Sequence, residues 1–438
     1  MNLHHRGQRA RWGIATALVA MTALLAACGG QGGAAPDNAA AAAPSGPVTI
    51  EFLSYTYGQA NPGGEGLKSL IADFQAANPT ITVKAESVPT ADALTKLQSE
   101  VVAGTAPDVA QIGWSKIAQA ASTLPLRSFQ DVATADDWNK TVSGIIPSVL
   151  KAAPVSDGQK VIGMPFLMGI PVLYYNADLF KAAGLDPAKP PTTISQLKAA
   201  ALTIKEKTGA EGSYVSVVDP GKSDWLTQSV VNSAGGALVG PSGAITVDSP
   251  PVITALTAMQ DLTRSGAQPA VDFGSAQTAF SAGKLGMLVT TAGGLPTLDQ
   301  AAKGKFTLQV GTFPGFDGLP AKPTFSGSGL SILAKDPAKA AAAWKFVQFL
   351  TNDKSFQLIA SKMGYLPLRE SAAASADPRL GGALKQLADL APYTTFPGKQ
   401  SNKGVVVLQD DAVEPIVLRG ADPTTTLQNA ATKIKSLG

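Results

Sequence analysis

The amino-acid sequence predicts an α/β fold, and three features carry that expectation. Short β-rich runs alternate with helical patterns from residue 48 onward. The punctuation between them is Gly, Pro and Asn, which end helices and form tight turns. Hydrophobic residues make up 45% of the chain, enough to cover a sheet on both faces. Strands that alternate with helices imply a parallel sheet with helices packed on each side.

The elements follow in order. Val48–Leu53 is a β-rich run, and Gly66–Ala77 places Leu67, Leu70, Ile71 and Phe74 on one helical face. Asn78-Pro79 ends that helix, and Ile81–Ala85 is the second strand. Ala91–Ala103 is the next helix, and Asp108–Ile112 the third strand. A second block begins near Pro171 with the strand Val172–Tyr175. Asn176 caps the following helix, which stops at Gly184. Further helices are expected over Ser195–Lys207, with Ser195 as N-cap, and over Ile253–Ser265 and Ala338–Leu350. Strands are expected over Val215–Val218 and Gly286–Thr290. Neither an internal repeat nor a linker poor in side chains separates the blocks. The crossovers are therefore expected to be ordered.

The first residues read as an export address. Arg6, Arg9 and Arg11 precede the apolar stretch Ile14–Leu25, and the small residues Ala26 and Ala27 precede Cys28. A basic head, a short apolar core and small residues before the cut describe a secretory signal over residues 1–27. The apolar stretch is shorter than the roughly 20 residues that span a bilayer. Leu25-Ala26-Ala27-Cys28 is similar to a bacterial lipobox, which implies acylation of Cys28, the one cysteine of the 438 residues. Residues 28–47 are dominated by Gly, Ala and Pro and are expected to be a flexible tether. Nineteen such residues reach about 24 Å. The chain has 35 Lys+Arg and 32 Asp+Glu. Removing the three signal arginines leaves 32 of each, without the basic excess of a nucleic-acid binder.

Several chemistries are excluded. The two histidines, His4 and His5, lie in the signal, so Ser-His-Asp and Cys-His catalysis and most zinc sites have no ligands left. Ser195-Gln-Leu-Lys198 and Lys207-Thr208-Gly209 match serine-hydrolase motifs by pattern, but they share one helix and cannot face each other across a site. The carboxylate pairs Asp136-Asp137 and Asp410-Asp411 are adjacent in sequence and point apart, unlike a glycosidase pair. No enzyme, cofactor or metal is expected.

Pro171-Val-Leu-Tyr-Tyr-Asn176, with Asp178–Asp186 and Pro190-Pro191 after it, resembles the extracellular solute-binding proteins of family 1. Ala279-Phe-Ser-Ala-Gly283 before Gly286-Met287, Ser326-Gly-Ser-Gly-Leu330, and Met363-Gly-Tyr-Leu-Pro367 agree in order and spacing. These are the sugar and glycerol-3-phosphate receptors of ABC importers. The resemblance implies two α/β lobes of the type II periplasmic-binding-protein fold, with ligand held in the cleft between them. One lobe is expected from residues 48–170 and 287–335, the other from 171–286 and 336–438. The expected partners are a small-molecule ligand, permease subunits and a membrane reached through the lipid anchor, with the protein itself monomeric.

The same resemblance implies that Tyr365 contacts ligand, that Gly327 brings its backbone close, and that Lys399 stands where glycerol-phosphate receptors carry an arginine. Thr90, Trp114 and Met168-Gly169 depart from that receptor pattern. Trp114 follows the third strand at the sheet's carboxyl end, where α/β folds bind ligands. Its ring either stacks on a sugar or packs in the core, and the ligand role is the expectation taken. Trp225 is a second wall or a core residue. Tyr55 and Tyr57 are expected rim contacts, and Gln111, Asn232 and Thr291 are expected hydroxyl partners. The preferred ligand is a neutral sugar or small polyol, with sn-glycerol-3-phosphate or a glycerophosphodiester as the alternative.

Overall fold

The computed structural model describes residues 46–151, 153 and 160–437. The expected signal, Cys28 and most of the tether lie outside the described residues. Among the described residues nine strands form two sheets. They are β1 (Val48–Ser54), β2 (Ile81–Ser87), β3 (Val109–Gly113), β4 (Met164–Gly169), β5 (Pro171–Asn176), β6 (Glu211–Val215), β7 (Leu285–Thr291), β8 (Leu308–Thr312) and β9 (Ser326–Ile332). The first sheet has the order β2-β1-β3-β9-β4 and the second β6-β7-β5-β8. The protein is a two-lobed α/β fold, one sheet to each lobe.

Local chemistry explains the elements. The helix Pro62–Ala77 starts with Pro62 in its first turn, where a missing N–H costs nothing. The Asn61 side chain accepts from the Gly64 N–H at 3.0 Å. Leu67, Leu70, Ile71 and Phe74 form its buried stripe. The helix Ala93–Ala103 ends at Gly104, whose φ of 75° suits a residue without a Cβ. β5 is buried at every position: Val172 and Tyr174 face one side, and Leu173 and Tyr175 the other.

Three expectations are corrected. The sheets are mixed rather than parallel. β1 runs parallel to β2 and β3, but β9 is antiparallel to β3 and β4, and β5 is antiparallel to β7 and β8. β9 reaches the first sheet on a return from the second lobe, so it arrives reversed. The sheet membership also differs from the expected division. β7 and β8 flank β5, which takes them out of the lobe expected to hold 287–335. Conversely, the helix Pro337–Leu350 lies on the first sheet. Its Phe346 ring meets Phe52 of β1 edge-on at 5.2 Å and Phe74 at 5.0 Å. Finally, Thr193 and not Ser195 caps the helix Ile194–Thr208. Thr193 is extended and its hydroxyl accepts from the Gln196 N–H at 3.3 Å.

The chain passes between the sheets at buried Ile170, between β4 and β5, and again between β8 and β9. Both crossings are ordered. Trp138, Trp344 and Phe129 form one aromatic cluster in the first lobe, with centroids 5.6–6.4 Å apart.

Candidate ligand-binding site

The carboxyl ends of β1 and β3 open onto a cavity of about 190 Å³ walled by both lobes. Tyr55, just past β1, forms part of one wall. The turn that carries it is tied down by Gln111 of β3. The Gln111 amide donates to Thr56 Oγ1 at 3.0 Å and Ser328 Oγ at 2.8 Å. Its oxygen accepts from Ser54 Oγ at 2.6 Å and from the Thr56 N–H at 3.3 Å. Gln111 lines the cavity, but both its donors and its acceptor are already engaged. It positions Tyr55 rather than offering a free amide.

Tyr55 donates to the Gly327 carbonyl at 3.5 Å, and burial raises its hydroxyl pKa. Gly327 has a φ of +117°, and a Cβ there would lie 1.9 Å from the Leu167 carbonyl oxygen, so only glycine fits. The Tyr365 ring lies against Gly293, where a Cβ would come within 2.9 Å of it. Thr291, at the end of β7, accepts from the Gly293 N–H and sits 3.2 Å from Ser326 Oγ.

The second lobe supplies the opposite wall. β6 ends at Val215, earlier than the expected strand, which leaves 216–224 as a loop leading to the helix Trp225–Ser233. Trp225 Nε1 donates to Asp219 Oδ2 at 3.2 Å, and Asp219 Oδ1 accepts from the Gly221 N–H at 2.6 Å. The Asp219 N–H donates to Gln409 Oε1 at 3.1 Å. Lys222 holds a left-handed φ of 51°, costly for a non-glycine residue, and pairs with Asp410.

Lys116 and Asp219 carry the charge among the residues lining this cavity. Lys116 is 5% exposed, and its ammonium donates to the Thr90 and Ala91 carbonyls. Burial lowers the Lys116 pKa, with Asp219 opposing the shift. Burial raises the Asp219 carboxyl, against the pull of the Gly221 N–H, the Trp225 indole and Lys116. Two side chambers adjoin the cavity. One, about 180 Å³, shares Tyr55, Thr90 and Tyr365 with it. The other, about 200 Å³, shares Asp219, Trp225, Thr291 and Ser326.

Six of the ten expected residues therefore come together: Tyr55, Gln111, Trp225, Thr291, Gly327 and Tyr365. Four do not line the cavity. Trp114 is 3% exposed and packs edge-on against Phe325 at 5.5 Å. Gly329 of β9 makes room for that ring, since a Cβ there would lie 3.2 Å from its Cη2. The Trp114 indole N–H has no partner among the described residues. Tyr57 packs on the first-lobe core. Asn232 lies near the end of its helix, with an amide nitrogen that has no partner among the described residues. Lys399 is exposed, just before the helix Ser401–Leu408.

Sequence reasoning missed Asp219, Lys116, Ser115 and Ser326 as lining residues. Asp219-Pro220-Gly221 is a turn signal placed after a strand of an α/β sheet, and that signal was readable. Lys116 carried none, because a lysine two residues into a helix reads as solvated. Among the described residues no group of three His, Cys, Asp or Glu is placed to hold a metal ion. No helix among them is long and apolar enough to cross a membrane.

Comparison with known proteins agrees with this architecture. The family described as bacterial extracellular solute-binding protein matches residues 57–355. The sn-glycerol-3-phosphate-binding periplasmic protein of Escherichia coli K12 is 25% identical over 344 residues, covering 74% of this chain and 75% of its own. The GacH receptor of Streptomyces glaucescens, solved unliganded and with acarbose, superposes with a TM-score of 0.76 at 22% identity. That match covers 89% of this chain and 98% of the receptor. The UgpB protein of Mycobacterium tuberculosis, solved with glycerophosphocholine, gives 0.74 at 24% identity, over 90% of this chain and 98% of that one. With the family matched over well more than half of its length, the chain belongs to the bacterial extracellular solute-binding proteins, which bind solutes and are not enzymes.

Proposed function

We propose that this protein is the ligand-capturing receptor of an ABC importer, and that its ligand is a neutral sugar or small polyol. The observation that carries the reading is the make-up of the interlobe cavity. Three aromatic residues, Tyr55, Tyr365 and Trp225, line a space that also holds hydroxyl groups and one carboxylate. Aromatic faces cover the apolar C–H surface of a sugar ring, while hydroxyls and a carboxylate satisfy its O–H groups. Closure of the two lobes around ligand is a hinge motion, and the closed state is the one presented to the permease. Cys28 is the proposed site of acylation, and the following residues tether the folded part to a membrane.

A second reading, a receptor for glycerol-3-phosphate or a glycerophosphodiester, draws on the relatives and on Tyr365 and Gly327 in the wall. Charge weighs against it. Lys399 lies outside the cavity, and the Lys116 ammonium is already engaged by two carbonyls. The test is calorimetry and thermal melting against saccharides, polyols, glycerol-3-phosphate and glycerophosphocholine. At 100 times its dissociation constant a ligand stabilises the fold by about 2.7 kcal/mol. Stabilisation by the phosphates alone overturns the sugar reading. For the anchor, a Cys28→Ala chain is expected to leave the membrane fraction, and unchanged fractionation refutes acylation there.

A further inference from the structure

We propose that Asp219 is the specificity-determining residue of this site: it accepts a hydrogen bond from a hydroxyl of a neutral ligand and turns away anionic ones. The proposal rests on the sugar-receptor reading and names how that site discriminates.

The carboxylate is held but not used up. Oδ1 takes the Gly221 N–H at 2.6 Å and Oδ2 takes the Trp225 indole at 3.2 Å. The Ser223 N–H also draws on the carboxylate. An ionised carboxylate has about four acceptor positions over its two oxygens, so about one stays free for ligand. Among the described residues Asp219 makes no ion pair within 4.0 Å, although sixteen such pairs occur elsewhere in them. A free acceptor position on a charged carboxylate suits a ligand hydroxyl, since hydrogen bonds to an ionised acceptor are the strong ones.

The position is also preorganised. The loop is fixed by the Asp219 N–H on Gln409 Oε1, by the left-handed Lys222 and by the Lys222–Asp410 pair. Asp219 lines both the central cavity and the side chamber beyond Trp225. A ring packed on the indole therefore brings its hydroxyl edge to the carboxylate. For a phosphate the same place is repulsive. Lys116 is the cation among the lining residues, and the carbonyls of Thr90 and Ala91 take up its ammonium. An anion entering here meets a carboxylate that Lys116 offsets only at a distance, in a partly desolvated site where charge interactions are stronger than in water.

The experiment compares the full chain with Asp219→Asn and Asp219→Glu by calorimetry. The neutral probes are maltose, trehalose and mannotriose, and the anionic probe is glycerol-3-phosphate. Melting of each unliganded variant checks folding. The wild type is expected to bind a saccharide and to ignore glycerol-3-phosphate. Asp219→Asn keeps an acceptor for Gly221 but loses the charge. It should bind the saccharide about ten- to a hundred-fold more weakly, the range of a hydrogen bond to a charged group. It should also gain at least about ten-fold for glycerol-3-phosphate, because the negative charge that repels the anion is gone. Asp219→Glu should weaken the saccharide, by misplacing the acceptors, while still rejecting the phosphate. Saccharide binding in Asp219→Asn within two-fold of wild type (about two-fold being calorimetric scatter) overturns the proposal, as does phosphate binding by Asp219→Glu. A wild type that prefers glycerol-3-phosphate overturns the sugar-receptor reading itself, so the two failures are distinct.

Discussion

Trp114 and Trp225 open their helices in the same way, yet they occupy different chemical worlds. Each is the first residue of a helix that follows a strand, Trp114 directly after β3 and Trp225 after the loop beyond β6. Each is nearly buried, at 3% and 8% exposure. Their neighbours differ. Trp114 fills the space over Gly329 and meets Phe325, with its indole N–H unpartnered among the described residues. Trp225 gives its N–H to Asp219 and lines two adjoining chambers. Equal burial therefore says little about role. What separates the two is whether a glycine in the facing strand lets the ring sink into the core, or a loop acid holds it at the cavity edge.

Truncation should separate them most sharply. Trp114→Ala is expected to cost about 3–5 kcal/mol of stability, the usual range for deleting a large buried aromatic. Urea unfolding measures this. Ligand affinity of the remaining folded protein should stay close to wild type, and a matching fall in affinity would erase the contrast. Trp225→Ala should do the reverse. Its affinity loss should reach about 2 kcal/mol or more by calorimetry, as for an aromatic anchor in a binding site. The smaller Trp→Phe change isolates the indole nitrogen. Trp225→Phe loses a hydrogen bond to a carboxylate and should weaken binding by about 1.5 kcal/mol. Trp114→Phe removes a buried N–H that has no partner, so its cost should stay under about 1.5 kcal/mol and come from volume alone.

Much of the fold was legible because it is written in local pattern. The stripe Leu67, Leu70, Ile71 and Phe74, the Asn176 cap and the Gly184 stop all fold as the sequence predicts. Strand partners were not legible. β9 begins Ser326-Gly-Ser-Gly, a run with little β-propensity, and it becomes a strand because β3 and β4 flank it. Its direction and the placement of β7 and β8 depend on pairing across more than a hundred residues, which no local window contains. The site shows the same division. Tyr55 and Trp225, expected there because aromatic residues near strand ends are few, line the cavity. Trp114 packs away from the cavity, and the residue that makes room for it, Gly329, lies far along the chain. Asp219 was overlooked because an acid in an Asp-Pro-Gly turn reads as surface until the first lobe faces it across the cavity.

The smallest expected effect concerns the acid that holds Trp225. Burial raises the Asp219 carboxyl above the ordinary carboxylate value. The folded chain thus holds that proton more tightly than the unfolded chain does. Stability from this group is complete below the unfolded carboxylate pKa and is lost as pH rises through the higher folded value. Asp219→Asn is neutral throughout and lacks this dependence. Without ligand, the stability of the wild type relative to Asp219→Asn should therefore fall as pH rises across that interval. It should level off once Asp219 is ionised in both states. Urea unfolding from about pH 4 to pH 8 spans the ordinary carboxylate value and the region above it. Trp114→Phe is the control, because it touches no titrating group and its curve should run parallel to wild type. Parallel curves for Asp219→Asn as well would mean that the carboxylate is solvated like any surface acid. Trp225 would then lose the partner that distinguishes it from Trp114.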